Sequence, residues 1–202
     1  MPDFILRSSP ASPFGRKIKI AAAILGLGDR IEVVKTDTTD PADDIRTQNP
    51  LGKIPALITP DGTVVYDSRV ILDYLDYLAG GGRILPADPA ERFPALTLQA
   101  LADGIMDAAL LRRYETVMRE PGERSARWDD HQRGKVERGL AYLEANLPEE
   151  DAVTVGTIAV ACALGYLDFR FEGSWREGHP RLVAWLDRFT ATLPGWAATA
   201  PG

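Results

Sequence analysis

The sequence predicts a small α/β domain followed by an all-helical domain within its 202 residues. The first observation is that strand and helix patterns alternate over residues 1–79. The second is a break rich in Gly and Pro over residues 80–88, which is typical of a linker. The third is that residues 89–202 carry apolar residues at helical spacing, without a strand pattern of comparable quality. The predicted domains are therefore 1–79 and 89–202.

Composition limits the classes of function. With 45% apolar and 26% charged residues the chain can bury a core, and no apolar run approaches the length of a membrane span. We expect a cytoplasmic protein, because no secretory leader pattern follows Met1. The single cysteine, Cys162, excludes an internal disulfide and a Cys-rich metal site, so no metal is expected. A net charge of −6 and a pI of about 5.0 argue against a nucleic-acid partner.

The first predicted helix carries signals at both ends. Ser12 is a natural N-cap and Pro13 a natural first helical residue, while Gly26 marks the end of the helix. Before this helix, the apolar run at residues 4–6 predicts a buried strand. The helical spacing of four apolar residues predicts the buried face of the helix: Ile18, Ala21, Ala22 and Leu25.

Three more strands and two more helices complete the predicted α/β domain. Residues 30–35 alternate as a strand, and a short helical turn runs from Asp40 to Gln48. An Asp-Gly turn signal at residues 61–62 joins two short strands as a hairpin, and an amphipathic helix then reaches Leu78. The resulting order is β-α-β-α-β-β-α, in which the first β-α-β implies a parallel pair with a right-handed crossover. This is the thioredoxin-like pattern.

Four helical patterns follow the break, and they cover residues 89 to about 119, 125–147, 153–171 and 180–193. The third of these has a clear start, because Thr154 is a good N-cap and Val153 can pack against Ile158. The tail after Pro194 is rich in Ala and Gly, which predicts a loosely packed segment.

The stretch from Asn49 to Leu57 has the pattern of a Gly-bearing loop that leads into a strand. Pro50 and Pro55 each fix a backbone angle and remove an amide donor. Pro55 is predicted to stand where the strand begins, because Pro is poorly tolerated inside a central strand. Only about 5–6% of X-Pro bonds are cis, so the loop by itself favours a trans bond before Pro55.

Two polar residues open the helix that follows the hairpin. Asp67 can cap this helix, and Ser68 can offer its hydroxyl and its backbone N–H to a carboxylate at the helix N-terminus. An acid beside such an anion site suits the zwitterionic α-amino acid end of a ligand. The alternative is that Asp67 serves only as a helix cap.

This succession of loop, strand, Asp-Gly turn, strand and helix resembles the glutathione-binding half of the cytosolic glutathione S-transferases. Ile54-Pro55 and Asp67-Ser68 match the motifs of that family residue by residue. The resemblance implies that the bond before Pro55 is cis and that the backbone of Ile54 contacts the cysteinyl part of glutathione. It implies further that Asp67 and Ser68 hold the γ-glutamyl part, with glutathione as co-substrate in the glutathione transferase fold.

Two other segments are similar to the bacterial YibF-like branch of this family, namely residues 100–108 and 157–170. The resemblance therefore extends over both predicted domains. The family usually places an Asp three residues after the N-cap Thr154, where this chain has Thr157. The Thr157 hydroxyl can still accept a hydrogen bond, but it lacks the charge.

The loop before the first helix carries the candidate catalytic residue. The thiol of glutathione has a pKa near 8.5 when free, so an enzyme that uses it must stabilise the thiolate. Ser12 at a helix N-terminus combines a hydroxyl donor with the positive end of the helix dipole, and it resembles the serine of the tau, theta and zeta classes. Ser9 is the second candidate, and the alternative is that Ser12 is only an N-cap. No cysteine lies in this loop, which argues against an omega-type thiol mechanism.

Three charged residues complete the predicted glutathione site and a predicted homodimer. Lys53 either meets the glycyl carboxylate or is a solvated surface residue. Asp103 and Asp107 lie four residues apart on the long helix, where like charges cost a few tenths of a kcal/mol, and the sequence has no Lys or Arg one turn from either. Their expected cations are the γ-glutamyl ammonium and Arg69 of the partner subunit. The alternative is that both are exposed acids.

The acceptor pocket is expected between the domains. Its candidate walls are Phe14, Tyr114, Tyr166, Arg170 and Trp175. The predicted function is that of a detoxifying glutathione transferase, in which the thiolate attacks a small, electrophilic, apolar molecule or serves peroxide or disulfide reduction. The alternative is a non-catalytic module of the same fold that binds glutathione or a protein partner.

Overall fold

The computed structural model describes residues 2–201 of the protein. These residues form two compact units. The first comprises the chain up to Arg92 together with the tail from Leu193 onward, and the second comprises Phe93–Thr192. The division into domains at 1–79 and 89–202 stays a prediction, and its outermost residues, 1 and 202, lie outside the described part.

The first unit is built on a four-stranded mixed sheet with the order β2-β1-β3-β4. β1 pairs with β2 in parallel and with β3 in antiparallel fashion, and β3 pairs with β4 antiparallel. The predicted β-α-β-α-β-β-α order and the thioredoxin-like fold are confirmed. The elements are β1 (Phe4–Ser8), α1 (Pro13–Leu25), β2 (Ile31–Lys35), α2 (Ile45–Gln48), β3 (Ala56–Ile58), β4 (Val64–Val65) and α3 (Ser68–Leu78).

Helix α1 packs against α3. Its four predicted core residues are buried, as their spacing requires. The helix ends at Gly26, whose φ of 73° lies in the left-handed region that glycine enters without steric cost. Both the buried face and the end of α1 are therefore as predicted.

A buried charge network joins β1 to the segment before the Asn49 loop. Arg7 is only 6% exposed, and its guanidinium donates to Asp43 at 2.7 Å, to Gln48 at 2.8 Å, to Thr36 at 2.8 Å and also to Asp44. A buried arginine is tolerated when carboxylates and polar oxygens satisfy its donors. Arg7 thereby holds α2, which directly precedes the loop.

Four helices account for most of the second unit within the described chain, at bounds close to those predicted. They are α4 (Pro89–Val117), α5 (Ala126–Ala145), α6 (Val155–Phe171) and α7 (Pro180–Ala191). Residues 155–167 of α6 are all buried, which explains its continuous apolar pattern. Among residues 2–201, no helix combines the length and the apolar character needed to cross a membrane.

The tail after Pro194 corrects the prediction of a loosely packed segment. The Arg16 guanidinium lies 3.6 Å from the centroid of the Trp196 ring, donates to the Trp196 carbonyl at 3.0 Å and reaches the Thr199 hydroxyl at 3.3 Å. The prediction was wrong because it rested on the high Ala and Gly content of the tail and overlooked Trp196, which binds the Arg16 side chain. The tail therefore packs on α1 in the first unit.

Candidate functional site

The sheet topology brings three segments to one end of the sheet. Arg7 in β1 pairs with Ala56 at the start of β3, and Leu57 pairs with Val65 at the end of β4. In antiparallel pairs the end of one strand lies beside the start of the next. The Ser9–Ser12 loop, the Ile54-Pro55 bond and Asp67-Ser68 therefore gather at one end of the sheet, which we call the Ser8 end.

The loop between α2 and β3 has the predicted backbone. The Ile54–Pro55 peptide bond is cis, so this prediction from the resemblance is confirmed. Within the loop, Lys53 is exposed, Ile54 is half-buried and Pro55 is buried at the start of β3.

A side chain that the sequence analysis did not assign holds this loop from inside. Asn49 is 2% exposed; its amide donates to the Lys53 carbonyl at 2.9 Å and its oxygen accepts the Leu51 N–H at 3.0 Å. Gly52 closes the turn with a φ of 61° and an N–H bond to the Asn49 carbonyl at 2.8 Å. The sequence did contain a signal for this contact, because an Asn side chain tends to form a hydrogen bond with the backbone N–H two residues later in the chain.

The start of α3 presents an exposed acid and a buried hydroxyl. Asp67 is the N-cap, and its carboxylate accepts the Arg69 N–H at 3.0 Å. Ser68, the first helical residue, is 3% exposed. The peptide bond between Tyr66 and Asp67 is also cis. Asp67 thus caps the helix as expected, and its second carboxylate oxygen has further capacity to accept a hydrogen bond.

Ser12 is the N-cap of α1. Its hydroxyl oxygen accepts the Gly15 N–H at 3.1 Å, and its own N–H donates to the Ser9 carbonyl at 3.1 Å. Because a hydroxyl can accept and donate at once, this capping bond leaves the Ser12 proton for a further acceptor. Both Ser9 and Ser12 are half-buried.

A third serine, Ser8, lies just before this loop and has a packing role. Ser8 is fully buried at the end of β1. A Cβ placed on Gly15 would lie 2.0 Å from its hydroxyl oxygen, so glycine is required where α1 passes the strand.

The start of α6 shows how Thr157 replaces an Asp. The Thr157 hydroxyl accepts the Thr154 N–H at 2.8 Å and donates to the Ala152 carbonyl at 2.7 Å. The Thr154 hydroxyl in turn accepts the Thr157 N–H at 3.3 Å. This reciprocal pair is a capping box built from two uncharged residues, so the departure from the family pattern leaves the helix start intact.

The two acids of α4 lie in different environments. Asp103 is only 1% exposed, whereas Asp107 is exposed. The alternative of two exposed acids is therefore wrong for Asp103. Its contact with the γ-glutamyl group of glutathione stays a prediction.

Three of the predicted acceptor residues lie in the second unit, Tyr114 on α4 and Tyr166 and Arg170 on α6. Tyr166 is 4% exposed, and burial raises the pKa of its phenol, while the adjacent charge of Arg170 partly opposes this rise. Tyr114, on α4, is 39% exposed. Phe14 lies in the first unit, where the Lys17 ammonium stands 5.4 Å from its ring centroid.

Trp175, the remaining candidate wall, is a core residue. It is 5% exposed, and its indole N–H donates to the Asp168 carboxylate at 2.8 Å. As for metals, the side chains of residues 2–201 form no group of three or more His, Cys, Asp or Glu that could hold an ion.

Comparisons with known proteins match both units. Residues 11–78 match the N-terminal domain profile of the glutathione S-transferases, and residues 106–188 match the C-terminal domain profile. The chain is 37% identical to the uncharacterized GST-like protein YibF of Escherichia coli K12, over 88% of this chain and 89% of that protein.

Two crystal structures from Pseudomonas fluorescens Pf-5 are similar over nearly the whole chain. A glutathione transferase family member with bound glutathione is 43% identical with a TM-score of 0.92, covering 98% of this chain and 99% of that one. A structure with bound S-(propanoic acid)-glutathione is 44% identical with a TM-score of 0.88, covering 98% and 100%. With both domain profiles matched and sequence identity spread over the full length, the chain belongs to the glutathione S-transferase family.

Proposed function

We propose that the protein is a glutathione transferase that binds glutathione at the Ser8 end of the sheet. The observation that carries the proposal is the convergence there of the cis Ile54–Pro55 bond, the start of α3 and the start of α1. The relative that binds glutathione supports it, because its fold matches at a TM-score of 0.92.

Each part of glutathione has a proposed partner in this chain. The backbone of Ile54 before Pro55 binds the cysteinyl part, as an added strand would. Ser68, at a helix N-terminus, suits the γ-glutamyl carboxylate, and the exposed Asp67 carboxylate suits the γ-glutamyl ammonium. Lys53 is exposed beside the loop and is proposed to pair with the glycyl carboxylate. Asp103 is proposed as a second partner of the γ-glutamyl ammonium. In this case the ammonium is that of the glutathione bound by the partner subunit.

The proposed chemistry centres on the Ser12 hydroxyl. Its proton is donated to the glutathione sulfur, which favours the thiolate, and the N-terminus of α1 adds a positive field. The thiolate then attacks an electrophilic carbon of the acceptor. The relative crystallised with S-(propanoic acid)-glutathione supports a thioether product of this kind. The same thiolate would also serve peroxide or disulfide reduction.

The test measures binding and thiolate formation separately. In calorimetry, Ser68→Ala is expected to bind glutathione about tenfold more weakly than the wild type, because the variant lacks one charge-assisted hydrogen bond to the ligand. Ultraviolet titration of bound glutathione is expected to show a lowered thiol pKa that Ser12→Ala raises and that Ser12→Thr retains. If Ser9→Ala has this effect instead, Ser9 is the thiolate partner.

The alternative of a non-catalytic module has its own signature. The wild-type protein would bind glutathione without lowering the thiol pKa. It would also fail to turn over a panel of electrophiles, peroxides and mixed disulfides. That pair of results would overturn the proposed enzyme and leave a glutathione-binding or protein-interaction module.

We also propose a cytoplasmic homodimer joined through α3 and α4. Val70 and Tyr77 lie two turns apart on one face of α3 and are 51% and 74% exposed. Large apolar side chains on one exposed helix face are typical of an interaction surface. Sedimentation velocity at micromolar concentration is expected to give twice the mass of the chain, and a monomer would contradict the proposal.

A further inference from the structure

Arg7 of the interior strand β1 adjoins both ends of the Asn49 loop, which comprises residues 49–55. Its backbone is in register with Ala56, the first residue of β3. Its side chain donates to Gln48, the last residue of α2. The loop joins these two elements and carries the cis Ile54–Pro55 bond, so one residue of β1 contacts the segments on either side of it.

The Arg7 guanidinium uses all three of its nitrogen atoms. Nε donates to the Thr36 hydroxyl at 2.8 Å, Nη1 to Gln48 at 2.8 Å and to Asp44, and Nη2 to Asp43 at 2.7 Å. These acceptors lie directly after β2 and at both ends of α2. A planar guanidinium presents its donors in a fixed fork, whereas an ammonium has three donors on a single nitrogen. Arginine is therefore the side chain that can hold all four acceptors at once.

Helix α2 depends on this network for its place. It spans only four residues, and among them Ile45 alone is buried. A single helical turn is not stable by itself in water. Arg7, in contrast, is buried, and moving α2 away would leave its charge enclosed without the acceptors that offset the loss of water. The network thus favours one position of α2 on the sheet.

The position of α2 passes to the loop through Asn49. Its backbone N–H donates to the Ile45 carbonyl at 2.7 Å, which ties it to α2. Its side-chain amide donates to the Lys53 carbonyl at 2.9 Å. That carbonyl belongs to the peptide that joins Lys53 to Ile54. A displacement of α2 would therefore move the backbone that leads into the proposed cysteinyl contact.

Resting on the function proposed above, we propose that Arg7 is a positioning residue for glutathione. It fixes the Asn49 loop so that the Ile54 backbone meets the cysteinyl part and Lys53 meets the glycyl carboxylate. Because its guanidinium is buried and bonded to the chain, Arg7 acts through the loop. The γ-glutamyl part has its own proposed partners at the start of α3, and none of the four acceptors of Arg7 belongs to that helix.

Affinity and kinetics give the first test. Arg7→Gln is expected to bind glutathione about tenfold more weakly in calorimetry. KM for glutathione should rise by a similar factor while kcat stays within about twofold, because the loop holds the ligand equally before and during the reaction. Arg7→Lys, which keeps the charge, should recover part of the affinity.

Two further variants separate this effect from a general loss of stability. Arg83→Gln is the control, since Arg83 also donates to backbone carbonyls of the first unit, those of Leu25 at 3.2 Å and Ile24 at 3.4 Å, at the far end of α1. It should bind glutathione as the wild type does. Gln48→Ala removes one exposed acceptor and keeps Arg7; it is expected to lose about threefold in affinity. Circular dichroism sets a temperature at which every variant is folded.

Double variants show whether Arg7 acts through the loop. Asn49→Ala alters the same loop, so Arg7→Gln combined with it is expected to lose less than about thirtyfold in affinity, short of the product of two tenfold losses. Ser68→Ala alters a separate contact, so its combination with Arg7→Gln should lose the full product, about a hundredfold. A full product in both double variants would overturn the proposal.

The outcomes also separate this inference from the function on which it rests. A wild-type protein that binds glutathione while Arg7→Gln binds it equally well keeps the proposed function and loses the positioning role of Arg7. Where Arg7→Gln does not fold, wild-type affinity in Gln48→Ala has the same meaning. A wild-type protein that does not bind glutathione overturns both proposals.

Discussion

At the scale of single residues, buried carboxylates set the local geometry of the first unit. Asp76 near the end of α3 is 3% exposed, and it accepts the backbone N–H groups of Gly82 at 2.7 Å, Arg83 at 2.9 Å and Ile84 at 2.8 Å. The preceding glycines at residues 80–82 all have positive φ. The sequence indicated a linker here, and one carboxylate fixes the path of the chain through it.

Asp43 gives a prediction about acid stability. Its carboxylate accepts the backbone N–H of Ile45 and also faces Arg7, and these contacts hold its pKa below the ordinary value. A lowered folded-state pKa adds stability above the unfolded value of about 3.9, and this stability is lost as the pH falls through the folded value. Asp43→Asn is therefore expected to destabilise the protein at pH 7, with the difference from wild type vanishing well below pH 3.9.

Urea unfolding of both proteins across that pH range measures the difference. Glu32→Gln, which removes an exposed carboxylate from β2, is the control and is expected to stay within about 0.5 kcal/mol of wild type. An equal destabilisation by Asp43→Asn at both ends of the range would show that charge is not the cause.

At the scale of elements, one glycine decides how closely α4 and α6 approach. A Cβ placed on Gly156 would lie 2.7 Å from the Ala95 carbonyl oxygen and 3.0 Å from the Leu98 side chain. The backbone of one helix thus occupies the space of a side chain on the other. No hydrophobic pattern reveals such a contact, because it depends on which turn of α4 faces α6.

Gly156→Ala is therefore expected to destabilise the protein by about 1–3 kcal/mol, the usual cost of overpacking a tight contact. Gly104→Ala is the matched control, since a Cβ there meets no atom within 4 Å and alanine is the better helix former by up to about 1 kcal/mol. Urea unfolding followed by circular dichroism measures both. A stabilising effect of Gly156→Ala would contradict the close approach.

At the scale of the whole molecule, the last residues of the chain complete the first unit. Arg16 on α1 is 5% exposed, and the Trp196 ring and carbonyl cover its guanidinium. A Cβ placed on Gly195 would lie 3.0 Å from Ala23, so the tail follows α1 closely. Gly195 and Trp196 thus pack directly on α1.

Trp196→Ala is expected to lower the free energy of unfolding by about 2–4 kcal/mol, through lost aromatic burial and a lost cation–π contact. Trp128→Ala on α5 is the control, because Trp128 is 42% exposed and stacks on the neighbouring His131; a loss below about 1 kcal/mol is expected there. Thermal unfolding compares the two variants, and equal losses would mean that the tail does not stabilise the first unit.

The sequence by itself determined the order of elements, the helix caps and the segments of the candidate site. Ser12, Asp67 and Thr154 are N-caps as predicted, because a cap and the N–H that it accepts lie two or three residues apart. The cis bond before Pro55 was implied by the family resemblance of Ile54-Pro55 and Asp67-Ser68, whereas the loop by itself favoured trans. Such features can be predicted from sequence because the residues that interact in them lie within one helical turn or one hairpin.

Only the tertiary structure decided which charges are buried and what they meet. Arg7 and Asp43 are 36 residues apart, and Arg16 and the Trp196 carbonyl are 180 residues apart. The burial of Asp103 depends likewise on the packing of distant segments. The physical reason is that desolvation and charge pairing depend on distance in space, whereas capping, turns and periodicity depend on distance along the chain.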